Sequence, residues 1–231
     1  MQLFFQPQLL QTQCLDENDS KHCVKVLRKK KGDEIQVLNG QGSVFTCRIT
    51  DPNPRACRVE VVKEEIVPRK QKRWVHIAIA PTKNADRLAY FLEKAVELGV
   101  QEITLLETKH SERRVQKMER LEKVAVSAMK QSLQTWAPIL HEITPFEEFV
   151  QNKEVAKTRF IAHLSDSAEA IEHTQLSDKV CILIGPEGDF STKEINLAIA
   201  NQFIPVTLGN TRLRTETAAL VACHTIALLN E

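Results

Sequence analysis

From Trp74 onward, short apolar runs alternate with stretches of helical periodicity, and that rhythm leaves few architectures open. Val75 to Ala80, Glu102 to Leu106, Arg159 to His163, Val180 to Ile184 and Pro205 to Leu208 read as strands. Leu88, Phe91, Leu92, Ala95 and Val96 fall on one helical face that Gly99 ends. Val115, Met118, Leu121, Ala125, Met129 and Leu133 form the stripe of a long helix predicted from Ser111 to Trp136. Pro138 and Pro145 flank a weak strand at Leu140 to Ile143, and Phe146 to Val150 supplies a helical turn or two. Polar Ser165-Asp166-Ser167 follows the third strong strand, and Ser191-Thr192-Lys193-Glu194 is a capping box that starts a helix reaching about Ala200. Thr215 is expected to cap a last helix, Glu216 to Leu229. Strands alternating with helices predict an α/β fold with a mainly parallel sheet covered on both faces.

The first seventy residues follow another rule. Glu34 to Leu38 and Ser43 to Ile49 alternate with period two around Asn39-Gly40-Gln41-Gly42, which predicts a hairpin. Ala56 to Val62 continues the pattern after Asp51-Pro52-Asn53-Pro54, so a small β-barrel is expected. Ahead of the strands, Asp19 to Lys31 reads as a short helix ending in a basic cluster. Glu64 to Arg73 is polar, contains Pro68 and has no period; it reads as a linker, dividing the chain into domains 1–70 and 71–231.

Charge supports that division. Residues 1–73 carry 14 Lys/Arg against 9 Asp/Glu, a net +5, whereas residues 74–231 carry 17 against 21, a net −4. A basic module on a mildly acidic one suits a polyanion. Lys25, Arg28, Lys29 and Lys30 could be a solvated helix end or a phosphate contact, and RNA contact is the preferred reading. Aromatic residues make up only 5% of the chain, so base-stacking platforms cannot be numerous.

Several classes drop out. Six scattered cysteines without a C-x-x-C pair, and no secretory leader, point to a reducing cytoplasm and to no metal. Ala218 to Leu229 is too short and too polar to span a bilayer. Dinucleotide, P-loop, G-x-S-x-G and H-E-x-x-H motifs are all missing.

Two Gly-bearing loops at strand ends remain. Gly185-Pro186-Glu187-Gly188-Asp189 serves equally as a plain strand-to-helix turn or as a ligand loop, its glycines letting backbone approach closely. The second, Leu208 to Thr217, places Arg212, Arg214 and Glu216 within five positions at a helix N-terminus. Glu216 suits that pole of the dipole; Arg214 does not, and a cation placed there calls for an anionic partner.

These residues carry a resemblance. Leu183-Ile-Gly-Pro-Glu-Gly188, Leu208-Gly209 and Leu213-Arg-Thr-Glu-Thr-Ala-Ala219, with Glu93-Lys-Ala-Val-Glu-Leu-Gly-Val100 and the Gln131-Ser132 pair, resemble the RsmE family of 16S rRNA uridine-N3 methyltransferases, of the SPOUT class. The resemblance covers essentially the whole chain. It implies a PUA-like N-terminal RNA-binding β domain and a C-terminal α/β domain with a deep trefoil knot. It implies S-adenosyl-L-methionine held by three loops: at His163 and Leu164; at Ile184, Gly185, Pro186, Glu187 and Gly188; and at Leu208, Gly209, Leu213, Arg214, Thr215, Thr217 and Ala218. A homodimer and a 16S rRNA or small-subunit substrate follow from it too. Within it, Arg214 is expected to stabilise negative charge on uracil O2 or O4, or on a nearby phosphate. Glu216 is expected to serve as base or to position Arg214, and Arg87 to make a further RNA contact. A SPOUT-type methyltransferase for another RNA or atom, and a non-catalytic RNA-binding dimer, are the competing readings. Asp189, Thr211-Arg212 and Lys130 depart from the family pattern, which commonly has a second glycine, Arg then Ile, and an acidic residue there.

Overall fold

Hydrogen-bonded ladders sort the strands into two separate sheets, one of four strands and one of seven. The structure is a computed structural model and describes residues 3–113, 116–163, 169–171 and 174–229. The chain divides into two compact units, Met1–Lys70 with Val126–Ala137, and Gln71–Ala125 with Pro138–Glu231.

The first unit contains β1 (Leu3–Phe5), α1 (Leu9–Thr12), α2 (Glu17–Lys21), β2 (Glu34–Leu38), β3 (Ser43–Asp51) and β4 (Arg58–Ile66). Its strands lie in the order β1-β2-β3-β4, with β1 parallel to β2 and the others antiparallel. The expected hairpin is present. β1 was not foreseen, because three residues are too few to display a period. The expected helix from Asp19 to Lys31 is shorter and begins earlier: Asp16 caps α2, accepting from the Asp19 N–H at 2.7 Å, and a π-helical turn at His22–Val26 ends the coil. Arg28 then turns left-handed at φ 55°, so Arg28 to Lys31 lie outside any helix. β4 runs to Ile66, paired with Ser43, so the segment read as linker opens inside a strand.

The segment Val126–Ala137 fastens into this unit at several points. Lys130 Nζ lies 2.9 and 3.2 Å from the two Asp19 carboxylate oxygens, one of which also accepts from the Phe5 N–H. The acid-to-lysine departure at 130 therefore has a partner built for it. Trp136 Nε1 donates to the Val67 carbonyl at 2.9 Å, and Arg69 stacks 4.2 Å above the ring. A Cβ on Gly42 would fall 2.4 Å from that indole, and the residue sits at φ +95°, so only glycine fits.

The second unit contains β5 (Trp74–Ile79), α3 (Ala85–Glu97), β6 (Glu102–Glu107), β7 (Ile139–Pro145), α5 (Phe146–Gln151), β8 (Thr158–Ala162), β9 (Glu169–Ala170), β10 (Lys179–Ile184), α6 (Thr192–Ala200), β11 (Ile204–Thr207) and α7 (Thr215–Leu228). Between β6 and β7, α4 (Met118–Gln131) runs from this unit into the segment of the first. The seven strands are parallel, in the order β7-β6-β5-β10-β8-β11-β9. Ile77, Ala78, Ile79 and Val180 to Leu183 are fully buried, as strands covered on both faces require. Cys181 and Leu183 join a core with Phe146, Phe149 and Ala198 from α5 and α6. The alternate residues Ile182 and Ile184 face the other side, where α7 packs on β5, β10 and α3.

Two further helix expectations need correction. α4 spans Met118–Gln131, not Ser111 to Trp136, and Leu133, at φ 57°, has left the stripe and is 59% exposed. Val115 lies outside the described residues, as do Ser165-Asp166-Ser167. α7 starts at Thr215 with Arg214 as its N-cap; the Thr215 hydroxyl does not cap but donates to the Gly185 carbonyl at 3.0 Å. The Ser191–Glu194 capping box forms with both reciprocal bonds. All six cysteines are free thiols, and no helix among the described residues is long and apolar enough to cross a membrane.

Candidate active site

Parallel strands present their C-terminal ends together, and where strand order reverses a crevice opens between the loops. Here β5 and β10 are followed by β8, reached by a crossover, and a cavity of about 570 Å³ lies at the ends of β8, β10 and β11. Its wall is apolar at Ile184, Val206, Leu208 and Leu213, and carries Arg87, Arg212 and Arg214 as cations.

The β10 loop is held from several sides. Glu187 accepts the Lys83 N–H at 3.1 Å, and the Asp189 carbonyl lies 2.9 Å from His110 Nδ1. Asp189 adopts φ 60°, and its own carboxylate accepts the Phe190 N–H at 2.7 Å. This explains the family departure: the site needs a left-handed residue, which glycine supplies freely and aspartate tolerates through such local bonds. Gly185 abuts the Phe190 ring and Gly188 abuts His110, each with 3.2 Å available for a Cβ. One Glu187 oxygen is thus committed to protein.

The β11 loop is freer. Gly209, at φ +121°, has nothing within 4 Å of where a Cβ would stand, and Thr207 Oγ1 donates to the Gly209 carbonyl at 2.9 Å. Arg212 and Arg214 are exposed and form no ion pair among the described residues. The loop feeds into the first turn of α7, whose leading amides have no acceptor within the helix. A site with free amides, two unpaired arginines and an apolar slot suits a ligand that is partly aromatic and partly anionic.

The structure brings together His163, Ile184, Gly185, Pro186, Glu187, Leu208, Gly209, Leu213, Arg214, Thr215 and Ala218 on the cavity wall. Gly188 and Thr217 are not on it, and Leu164 lies outside the described residues. Arg87, expected only as an RNA contact, lines the cavity from the first turn of α3. Glu216 does not line it; the residue is 7% exposed and its Oε1 is 3.7 Å from Arg87 Nε. Lys25, Arg28, Lys29 and Lys30 belong to the first unit. Ala162, Asp189, Val206 and Thr207 also line the cavity and were not foreseen as site residues; Ala162 and Thr207 directly precede His163 and Leu208, Asp189 follows Gly188 in the β10 loop, and Val206 stands one residue further back on β11. Among the described residues no cluster of His, Cys, Asp or Glu could hold a metal.

A family model described as RNA methyltransferase domain matches residues 69–227, and one described as RNA methyltransferase PUA domain matches 15–62. The crystal structure of a probable rRNA-methyltransferase from Porphyromonas gingivalis is 39% identical, with TM-score 0.94, over 100% of this chain and 98% of that one. Ribosomal RNA small subunit methyltransferase E from Neisseria gonorrhoeae, solved bound to S-adenosyl methionine, is 26% identical with TM-score 0.88 over 99% of this chain and 98% of its own. A Synechocystis protein with the name ribosomal RNA small subunit methyltransferase E is 30% identical over 90% of this chain and 70% of its own length.

Proposed function

Since the chain belongs to the RNA methyltransferase family, we propose that it methylates N3 of a uridine in 16S rRNA of the small ribosomal subunit, using S-adenosyl-L-methionine. The observation that carries this is the cavity at the ends of β8, β10 and β11, walled by both Gly-bearing loops and by Arg212 and Arg214, which have no acidic partner among the described residues. Its residues fit the cofactor. Ile184, Val206, Leu208 and Leu213 offer an apolar slot for an adenine, while the α7 amides offer partners for a carboxylate. S-adenosyl-L-methionine, when bound, supplies a methyl group already activated on a sulfonium.

The protein's own task is alignment and charge. Uracil N3 lies on the Watson–Crick edge, so the base must be unpaired or flipped out to enter. Its imide proton has to leave before, or as, the N3–carbon bond forms, and negative charge gathers on O2 and O4 until the methyl group arrives. Arg214, exposed at the cavity wall and with no ion-pair partner among the described residues, is placed to stabilise that charge.

The reading extends to architecture. Residues 1–70 act as a PUA-like RNA-binding domain, with Lys25, Arg28, Lys29 and Lys30 on phosphate, and residues 71–231 as a SPOUT methyltransferase domain. A barrel in the first domain is supported by its N-terminal segment, which flanks β2 through β1 and flanks β4 through the Cys14–Arg58 bridge. A trefoil knot formed by the β8, β10 and β11 loops belongs to the same reading, and in it the bond from Thr215 to Gly185 would hold the β11 loop against the β10 loop. The enzyme works as a cytoplasmic homodimer.

Mass spectrometry of nucleosides from 16S rRNA of a deletion strain tests the reaction. Loss of one 3-methyluridine is expected. Loss of a different methylated nucleoside would shift the assignment to another atom or RNA, and no calorimetric heat with S-adenosyl-L-methionine would leave a non-catalytic RNA binder.

A further inference from the structure

Arg87 is in an electrostatically awkward place. Asn84 caps α3, so Arg87 stands in the first turn, where a helix presents its positive pole. Its neighbour across the α3–α7 contact is Glu216, in the first turn of α7, with Arg87 Nε 3.7 Å from Glu216 Oε1. Two helix N-termini therefore meet through one ion pair. The Glu216 side chain is 10% exposed against 38% for Arg87, and its other oxygen, Oε2, is buried with no hydrogen-bond partner among the described residues. Arg87 also lines the cavity, whereas Glu216 does not.

A general base must come within hydrogen-bond reach of the proton it takes. A buried carboxylate off the cavity wall, facing a guanidinium, is poorly placed for that. It is well placed to hold the guanidinium. No other carboxylate among the described residues pairs with Arg87, so without Glu216 the side chain would be repelled by the α3 amides with nothing to fix its direction. We propose that Arg87 is a second catalytic residue, meeting the negative charge that develops on the uracil as its N3 proton leaves, and that Glu216 is its positioning residue. This rests on the methyltransferase reading and assigns no proton to Glu216; the proton leaves to solvent or to substrate-bound water.

The test is steady-state methylation of small subunits from a deletion strain by wild type, Arg87→Ala, Arg87→Lys, Glu216→Gln, Glu216→Ala and the double variant Arg87→Ala/Glu216→Ala. Arg87→Ala should lower kcat about 100-fold and leave KM for subunits within about threefold. Glu216→Gln keeps the shape and an acceptor and should lose about tenfold; Glu216→Ala should lose more, roughly 30-fold. The double variant should be no slower than Arg87→Ala alone, because one member acts through the other. Arg87→Lys should recover part of the rate with Glu216 present and none of it beside Glu216→Ala. Calorimetry with S-adenosyl-L-methionine certifies each variant as folded, and Glu216→Gln secures the glutamate arm if Glu216→Ala fails that check. Independent, multiplying losses would overturn the proposal, as would a Glu216→Gln enzyme slower than Arg87→Ala, or an Arg87→Ala defect confined to KM. A wild-type enzyme that binds the cofactor but leaves subunits unmethylated would instead overturn the substrate reading.

Discussion

At the N-terminal ends of the parallel strands, Trp74, His76, Glu102, His141 and Lys179 close on one another, whereas at the C-terminal ends Arg212 and Arg214 have no acidic partner among the described residues. Glu102 accepts the Trp74 indole N–H at 2.7 Å, pairs with His141 at 2.9 Å and Lys179 at 3.3 Å, and lies 3.7 Å from His76. His76 is held further by Thr104 at 2.8 Å and packs edge-on against Phe149. The same sheet thus carries an interlocked polar cluster at one end, in which only His76 Nδ1 among the residues named is buried without a hydrogen bond, and open loops at the other. Polar groups that hold one another stabilise a fold, whereas exposed charges beside a cavity are available to a ligand.

That contrast can be broken by substitution. Arg214→Ala should abolish methyl transfer, a fall of at least about 10²–10³-fold, with cofactor binding and melting temperature nearly unchanged. A variant with wild-type turnover would remove Arg214 from the chemistry. Glu102→Ala at the opposite end should do the reverse, costing about 3 kcal/mol of stability by orphaning Lys179 and the Trp74 N–H. Urea unfolding measures the loss, and turnover per folded molecule should match wild type.

Acid should act on the closed end first. Burial pushes His76 down to about 4, against about 6.5 in an unfolded chain. The stabilisation from keeping it neutral is complete above pH 6.5 and drains away as pH falls toward 4, because the unfolded chain takes up a proton the native one refuses. The full effect is about 3 kcal/mol. Burial raises the Glu102 carboxyl, but His76, the Trp74 N–H, Lys179 and His141 outweigh it and hold it below its usual range. Its contribution is likewise present above the unfolded carboxylate range and lost as pH falls through the native value. Unfolding midpoints from pH 7 to 4 should fall steadily in wild type and less in His76→Gln; equal slopes would contradict the assignment. The smallest effect is expected from Gly209→Ala. Its φ of +121° strains any side chain despite the open space, costing about 1–2 kcal/mol. That strain should appear as weaker cofactor binding in calorimetry rather than as global unfolding.

Much of the second unit was legible because its signals are local. Val180 to Ile184 is apolar throughout, Ser191 and Glu194 form their box, and Leu88 to Val96 mark a face that is buried as expected. β1 and β9 were not legible, since strands of three and two residues owe their state to the neighbours they pair with. The end of α4 was misjudged for a related reason. Residues 132–137 have helical composition, yet the pairing of Trp136 with Gln41 and its bond to Val67 take them out of the helix. At the site, both loops could be picked out from glycines and charge. The Arg87–Glu216 pair could not, because a separation of 129 positions leaves no local pattern, and only the packing of α3 on α7 brings the two together.

The strap formed by Val126–Ala137 has a consequence for anyone wishing to take the protein apart. A gene fragment ending at residue 70 would leave Asp19 without its lysine, Arg69 without an indole beneath it, and Gly42 facing a vacant slot. Severing the peptide between the two halves of the sequence is therefore not the same operation as separating the two bodies. A faithful N-terminal half would have to be supplied with the missing twelve-residue stretch, in trans or by splicing, before its solubility or RNA affinity said anything about the intact protein.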